Sequence, residues 1–447
     1  MQRAWGNKSQ PIIKFGGEKT NNIFVGIDVA KENHEASIKD RAGNELVNTF
    51  TITNTENDVQ KLYNIVDDLC KKYGAEPLFA MEATGIYYLP LYTRLVRDGK
   101  QVKLFNPIQT SSLREKNIRK SSTDKIDSRL IADLLRYEGI KNQREIDTET
   151  MQLKELCRTY WKFTDKISDT KRQIVRCLDM IFPGYTEIFS GTFNRTSMVI
   201  MKKYTTPSEI LKAKETTLTM IVKKNSRGQL GSEKVKEIIE LARKTINVIE
   251  LEYACKIEIQ MLLEQINLIE KQLKGLEKQI KRFSDREDIR LIMSIDSFGK
   301  DGVLAHTLAA EIGSIDDFRT SDQLLAYLGE DPSIKQSGRF ERTIRHWSKR
   351  GSPLARRILY LASISAIRIN PVCINVYERK YDKNNPKRKW KSAICAVMGK
   401  LTRIVFSVLK NKKPFYVPSY ITQPVQTDFK GCLNGSNAAF GNVATGV

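Results

Sequence analysis

The feature that most narrows the fold of this 447-residue chain is a change of hydrophobic period near residue 146. Before it, two-residue and 3.6-residue patterns alternate; after it, only the helical period persists. Strand-like runs open the first part: IFVGIDVA at 23–30, HEASIKD at 34–40 and LVNTFTI at 46–52, with Gly43 and Asn44 as the turn before the third. A helical pattern over 57–73 leads to the apolar strand PLFAMEA. A helix near 88–98, the strand QVKLFN and a helix from about 123 to 137 complete the order β-β-β-α-β-α-β-α. Such an order predicts a mixed sheet with helices on its faces.

Beyond this point, residues 150–290 read as almost wholly helical, and no proline falls between Pro207 and Pro332 to interrupt long helices. Leu262, Ile266, Ile269, Leu273, Leu276, Ile280 and Phe283 recur at four- and three-residue steps, the period of a coiled-coil seam. The same pattern suits one arm of a helical hairpin within the chain. The predicted class is therefore α/β plus all-α, divided into a polar lead-in (1–20), a sheet domain (21–145), a helical coiled-coil region (146–292), a mainly helical basic domain (293–415) and a tail rich in Gly, Asn, Ser and Thr (416–447).

Charge identifies the class of partner. The formal net charge is +22, and between Asp331 and Lys413 there are 21 Lys and Arg against 4 Asp and Glu, so most of the excess is local. These one-signed runs are interleaved with Phe340, Trp347, Tyr360, Tyr377, Tyr381 and Trp390, a composition suited to phosphate contacts. The seven cysteines form no Cys-x-x-Cys pair, which predicts reduced thiols and no zinc. The chain shows neither a signal-peptide pattern nor a continuous apolar run of about 18 residues, so the expectation is a cytoplasmic protein without a membrane partner.

Two carboxylates interrupt apolar strands: Asp28 near the end of the first, and Glu82 near the end of PLFAME. Ligands collect at strand ends in alternating α/β sheets. Asp124 and Asp127 stand three residues apart, on one face of a helix. Asp133, nine residues on from Asp124, is turned away from that face. Each acid has an ordinary structural reading as a cap or a Lys partner. Together, four carboxylates converging from two strands and a helix require neutralising cations, and oxygen-only ligands suit Mg²⁺ or Mn²⁺. A pair of such ions would serve phosphodiester chemistry.

GIDVAK, MEATGIY, VKLFNP and the run from Arg119 through TDKIDSRLIADLLR resemble the motifs of insertion-sequence family 110 transposases, the group that includes the Piv/MooV invertases. The resemblance implies a RuvC/RNase H-like amino-terminal domain with an Asp-Glu-Asp-Asp metal site, which falls on Asp28, Glu82, Asp124 and Asp127. Ser122 stands where Lys commonly precedes the Thr-Asp pair. The stretch from AAEIG to ARRILYLAS resembles the carboxyl-terminal transposase domain of the same family, although IDSFGKDG lacks the family's Pro-Gly-x-Gly turn. There the covalent nucleophile matches Ser337, before Gly338. Ser333 and Ser348 rival it by chemistry alone, and His346 is a conceivable base.

Arg339, Arg342, Arg345, Lys349, Arg350, Arg356 and Arg357 are the candidate nucleic-acid contacts. The expected function is a prokaryotic, nucleoid-associated recombinase that moves its own insertion element through a serine-DNA link. It needs no ATP, in keeping with the lack of a GxxxxGK loop. By resemblance alone, a structured noncoding RNA selects the DNA. Cutting several strands implies a homo-oligomer, with residues 240–283 as its contact. The alternatives are a metal-dependent structure-selective nuclease, with Ser337 a bystander, and a non-catalytic nucleic-acid-binding protein.

Overall fold

The structure, a computed structural model, describes residues 21–82, 85–105, 124–140, 147–299, 302–331, 336–337, 340–341, 347–349, 351–385 and 389–417, with backbone alone for Asp124, Gln336, Ser337, Phe340 and Glu341. The chain divides into two compact units, residues 1–147 and 148–447.

In the first unit, β1 (Asn21–Val29), β2 (His34–Lys39) and β3 (Glu45–Ile52) form an antiparallel meander. Helix α1 (Glu56–Tyr73), β4 (Ala75–Glu82), α2 (Leu89–Arg97), β5 (Gln101–Phe105) and α3 (Asp124–Glu138) follow. Strand order is β3-β2-β1-β4-β5, with β4 and β5 parallel to β1. The sheet is mixed, as the alternating pattern predicts.

Period-two alternation sends Ile23, Val25, Ile27, Phe79 and Met81 to one face, where they pack with α1 and α2 through Leu62, Val66, Leu91 and Leu95. Phe24, Leu78, Ala80 and Phe105 face the other way, onto Ile131, Leu134 and Leu135 of α3. Helix α1 begins where Thr55 accepts the Asp58 amide and ends at Gly74 in the left-handed conformation. At Gly26 the α3 backbone lies directly on β1: a Cβ there would stand 2.3 Å from both Ala132 N and Ser128 O.

The second unit is helical. Helix α4 (Thr148–Ile181) leads through short helices between Tyr185 and Lys244 to α5 (Glu252–Ile280). Tyr160 donates to Glu277 and Arg176 pairs with Glu258, so α5 returns antiparallel along α4. Seam residues Leu262, Ile266 and Ile280 are buried, and Ile269, Leu273, Leu276 and Phe283 are half-buried. Leu262 and Ile266 pack into one core within the chain, and Ile280 and Phe283 into another.

After these come α6 (Val303–Ile312), α7 (Ser321–Leu328), the short strands β6 (Gln336–Ser337) and β7 (Phe340–Glu341), α8 (Pro353–Ile369), α9 (Pro371–Lys380) and α10 (Trp390–Asn411). Helix α10 is long and apolar enough to cross a membrane by length and composition, and 56% of that stretch is buried inside the protein. Its Ile394, Val397, Leu401 and Val405 belong to a core shared with α6, α7, α8 and the start of α4. Two contacts tie α4 to α6: Trp161 Nε1 donates to Thr307 at 3.0 Å, and Arg158 Nε donates to the buried Glu311 carboxylate at 2.8 Å. Burial pushes the Glu311 carboxyl up, but the hydrogen bond from Arg158 and the Lys154 and Arg158 charges together hold it below its usual range.

Candidate functional site

The acids of the first unit are placed by the sheet register. Ile27 pairs with Met81 across the parallel β1–β4 ladder, so Asp28 and Glu82 follow as the next residues on neighbouring strands. Both share the parity of the residues facing α3, and Glu82 is buried while Asp28 is half-buried. Helix α3 runs against the direction of β1. Ser128 and Ala132 sit on Gly26, and further on Asp133 meets Lys39, which pairs with Phe24 two residues earlier on β1. Asp127, one residue before Ser128, therefore lies toward the Asp28 end, and it is buried.

Gly26 is what lets α3 lie directly on β1. It belongs to the GIDVAK motif, and any side chain there would push α3 and Asp127 off the sheet. Asp133 is engaged elsewhere, accepting from Lys39 Nζ at 2.6 Å beside Arg136.

The register adds an acid that sequence reasoning missed. Glu35 lies directly opposite Asp28 in the β1–β2 ladder, on the same face. Its Oε1 accepts from Thr51 Oγ1 at 2.5 Å, and its Oε2 is buried without a hydrogen-bond partner. The signal lay in the hairpin register rather than in any local motif.

Among the described residues, no group of three or more His, Cys, Asp or Glu side chains is placed to hold a metal ion. The Asp124 side chain lies outside the described residues, although its backbone opens α3 one turn before Asp127. Asp28, Glu82 and Asp127 offer carboxylate oxygen alone, the kind of donor that a hard divalent cation takes.

In the second unit, Ser337 pairs with Phe340 in the β6–β7 hairpin. Ser333, Arg339, Arg342, Arg345, His346 and Arg350 lie outside the described residues. Ser348 donates its hydroxyl to the Asp331 carboxylate. Lys349 is exposed, in a left-handed conformation with φ 55°. Arg357 pairs with Asp165 at 2.7 Å and stacks over Trp161, whereas Arg356 Nη1 donates to two backbone carbonyls.

Comparison with known families covers both units. Residues 25–183 match a family model described as a transposase, that of the DEDD transposases of IS110 elements, and residues 289–378 match one described as the transposase of the IS116/IS110/IS902 family. Together the matches span more than half of the chain. These two matches make the protein a transposase, a class of enzyme that cuts and rejoins DNA. The chain belongs to the IS110 family of transposases. No curated protein matches it.

Proposed function

We propose that the protein excises and inserts its own element by a serine-linked reaction assisted by a divalent metal. The placement of Asp28, Glu82 and Asp127 on one face at one end of the sheet carries this reading. Asp28, Glu82, Asp124 and Asp127 would hold Mg²⁺ or Mn²⁺, which when bound supplies charge stabilisation to a phosphodiester in transition. The strand order, an antiparallel meander extended by parallel strands, supports a RuvC/RNase H-like reading of the domain.

Ser337 Oγ attacks phosphorus, forming the serine–phosphate ester as the bond from phosphorus to a deoxyribose oxygen breaks; the serine proton passes to a base and the departing oxygen gains one. Attack by the strand oxygen of a new partner reverses these changes, so bond energy is conserved and no nucleotide cofactor is consumed. Arg339, Arg342, Arg345, Lys349 and Arg350 hold the phosphate backbone. A structured noncoding RNA selects the sites, gripped by the sheet unit and the basic segments. The enzyme works as a cytoplasmic homo-oligomer on nucleoid DNA. Exposed Tyr253, Ile257, Met261 and Leu268 on the outer side of α5 are the surface such an assembly would use.

The test is incubation with Mg²⁺, element-end DNA and the adjacent RNA, followed by denaturation. A surviving protein–DNA adduct, lost in both Ser337→Ala and Asp28→Asn, is the expected result. Strand cutting that persists in Ser337→Ala would identify a metal-dependent nuclease instead. Function intact in Asp28→Asn and Glu82→Gln would reduce the protein to a binding role.

A further inference from the structure

The segment from α7 to α8 carries Ser337, and both of its feet are tied to one another. On the outgoing side, Gly329 closes α7 at φ 74° and Glu330 anchors to α10, where Thr402 Oγ1 donates to its carboxyl at 2.8 Å. On the returning side, Ser348 N donates to Asp331 O at 2.8 Å, Ser348 Oγ donates to the Asp331 carboxylate, and Lys349 N donates to Gly329 O at 3.2 Å.

Gly351 is pressed so closely onto α7 that a Cβ would lie 2.0 Å from Tyr327 O and 2.5 Å from Leu328 C. Arg356, from the first turns of α8, donates through one nitrogen to Leu328 O at 2.9 Å and to Gly351 O at 2.8 Å, one carbonyl on each foot. Between them Lys349 is held left-handed, a conformation that an ordinary side chain keeps only where its surroundings over-determine it.

We propose that Arg356, with Gly351 and the Asp331–Ser348 pair, is a clamp that closes the base of the β6–β7 hairpin, and that Arg356 is a positioning residue for Ser337 rather than a phosphate contact. The clamp fixes where the chain leaves and rejoins the helical core on either side of the β6–β7 pair, while the DNA is held by other cations. Its catalytic side rests on the reading of Ser337 as the nucleophile.

The experiment uses full-length protein carrying Arg356→Gln, Arg356→Lys or Ser348→Ala, with three readouts: amide exchange at Gln336, Ser337, Phe340 and Glu341, the salt dependence of DNA binding, and the rate of adduct formation. In Arg356→Gln, exchange at the hairpin is expected to rise and adduct formation to fall by about tenfold each, the scale of one or two lost hydrogen bonds. Arg356→Lys is expected to recover part of both, and Ser348→Ala to shift both in the same direction.

DNA affinity and its salt slope should stay at the wild-type value in all three. Unchanged exchange together with a salt slope lowered by about one would overturn the proposal and make Arg356 a phosphate contact. Because exchange is measured without DNA, it judges the clamp separately from the nucleophile. An adduct that persists in Ser337→Ala alongside raised exchange in Arg356→Gln would refute the nucleophile and leave the clamp standing.

Discussion

Replacing Gly26 by alanine tests the link between fold and site most directly. The added Cβ would lie 2.3 Å from Ser128 O and Ala132 N, where ordinary contact begins at 3.4 Å, so α3 or β1 must move by about 1 Å. Both neighbours are helix backbone, which cannot rotate aside as a side chain would. Moving α3 outward also loosens Ile131, Leu134 and Leu135 from Phe24, Leu78 and Phe105. Overpacking of this kind costs about 1–3 kcal/mol, and the absence of any flexible neighbour places Gly26→Ala near 3 kcal/mol. Asp127 rides on the same helix, so under its proposed role as a metal ligand a displacement of about 1 Å costs about a hundredfold in rate. Amide exchange at Ile27 and Ala132 reports the stability and strand cleavage reports the site. Gly231→Ala, whose Cβ meets open space, is the control. Stability of Gly26→Ala within about 0.5 kcal/mol of wild type, with cleavage unchanged, would refute the argument.

Two further outcomes follow from buried and exposed positions in the second unit. Burial pushes the Glu330 carboxyl up to about 7, against the opposing hydrogen bond from Thr402 and the charges of Arg356 and Arg403, with the Cys395 thiol also nearby. Its neutral form is therefore favoured in the folded state: the stabilisation is complete below the unfolded value of 4.5 and is lost as pH rises through about 7, a difference of at most about 3 kcal/mol. Glu330→Gln should flatten the pH dependence of unfolding between pH 5 and 8 and stabilise the protein at pH 8; an identical pH profile in the variant would count against this assignment. Gly275 lies inside α5 with nothing within 4 Å of a built Cβ. Gly275→Ala should stabilise by about 0.5–1 kcal/mol, read as a rise in melting midpoint, and a fall would mean that this glycine is required for another contact.

The order of elements in the first unit was legible because facing is a local property. Whether residues 57–73 present one stripe, or 23–30 alternate, depends on neighbours a few positions away, and Thr55 and Gly74 mark the ends of α1 through equally local bonds. The strand-end placement of Asp28 and Glu82 was legible for the same reason. The seam from Leu262 to Phe283 was only half legible. A heptad repeat shows that a partner helix exists, and the tertiary structure supplies α4 of the same chain as that partner.

What tertiary structure alone decided are meetings between residues far apart in sequence. That Gly26 must be glycine depends on a helix about a hundred residues later, and that Glu35 faces Asp28 depends on how the hairpin is registered. Asp133 is engaged by Lys39, and Arg356 joins the feet of the Ser337 segment, through contacts that no local pattern encodes. Periodicity records which side of an element is apolar, whereas the partner of a charge or the space beside a glycine is fixed only when separate elements pack at van der Waals distance.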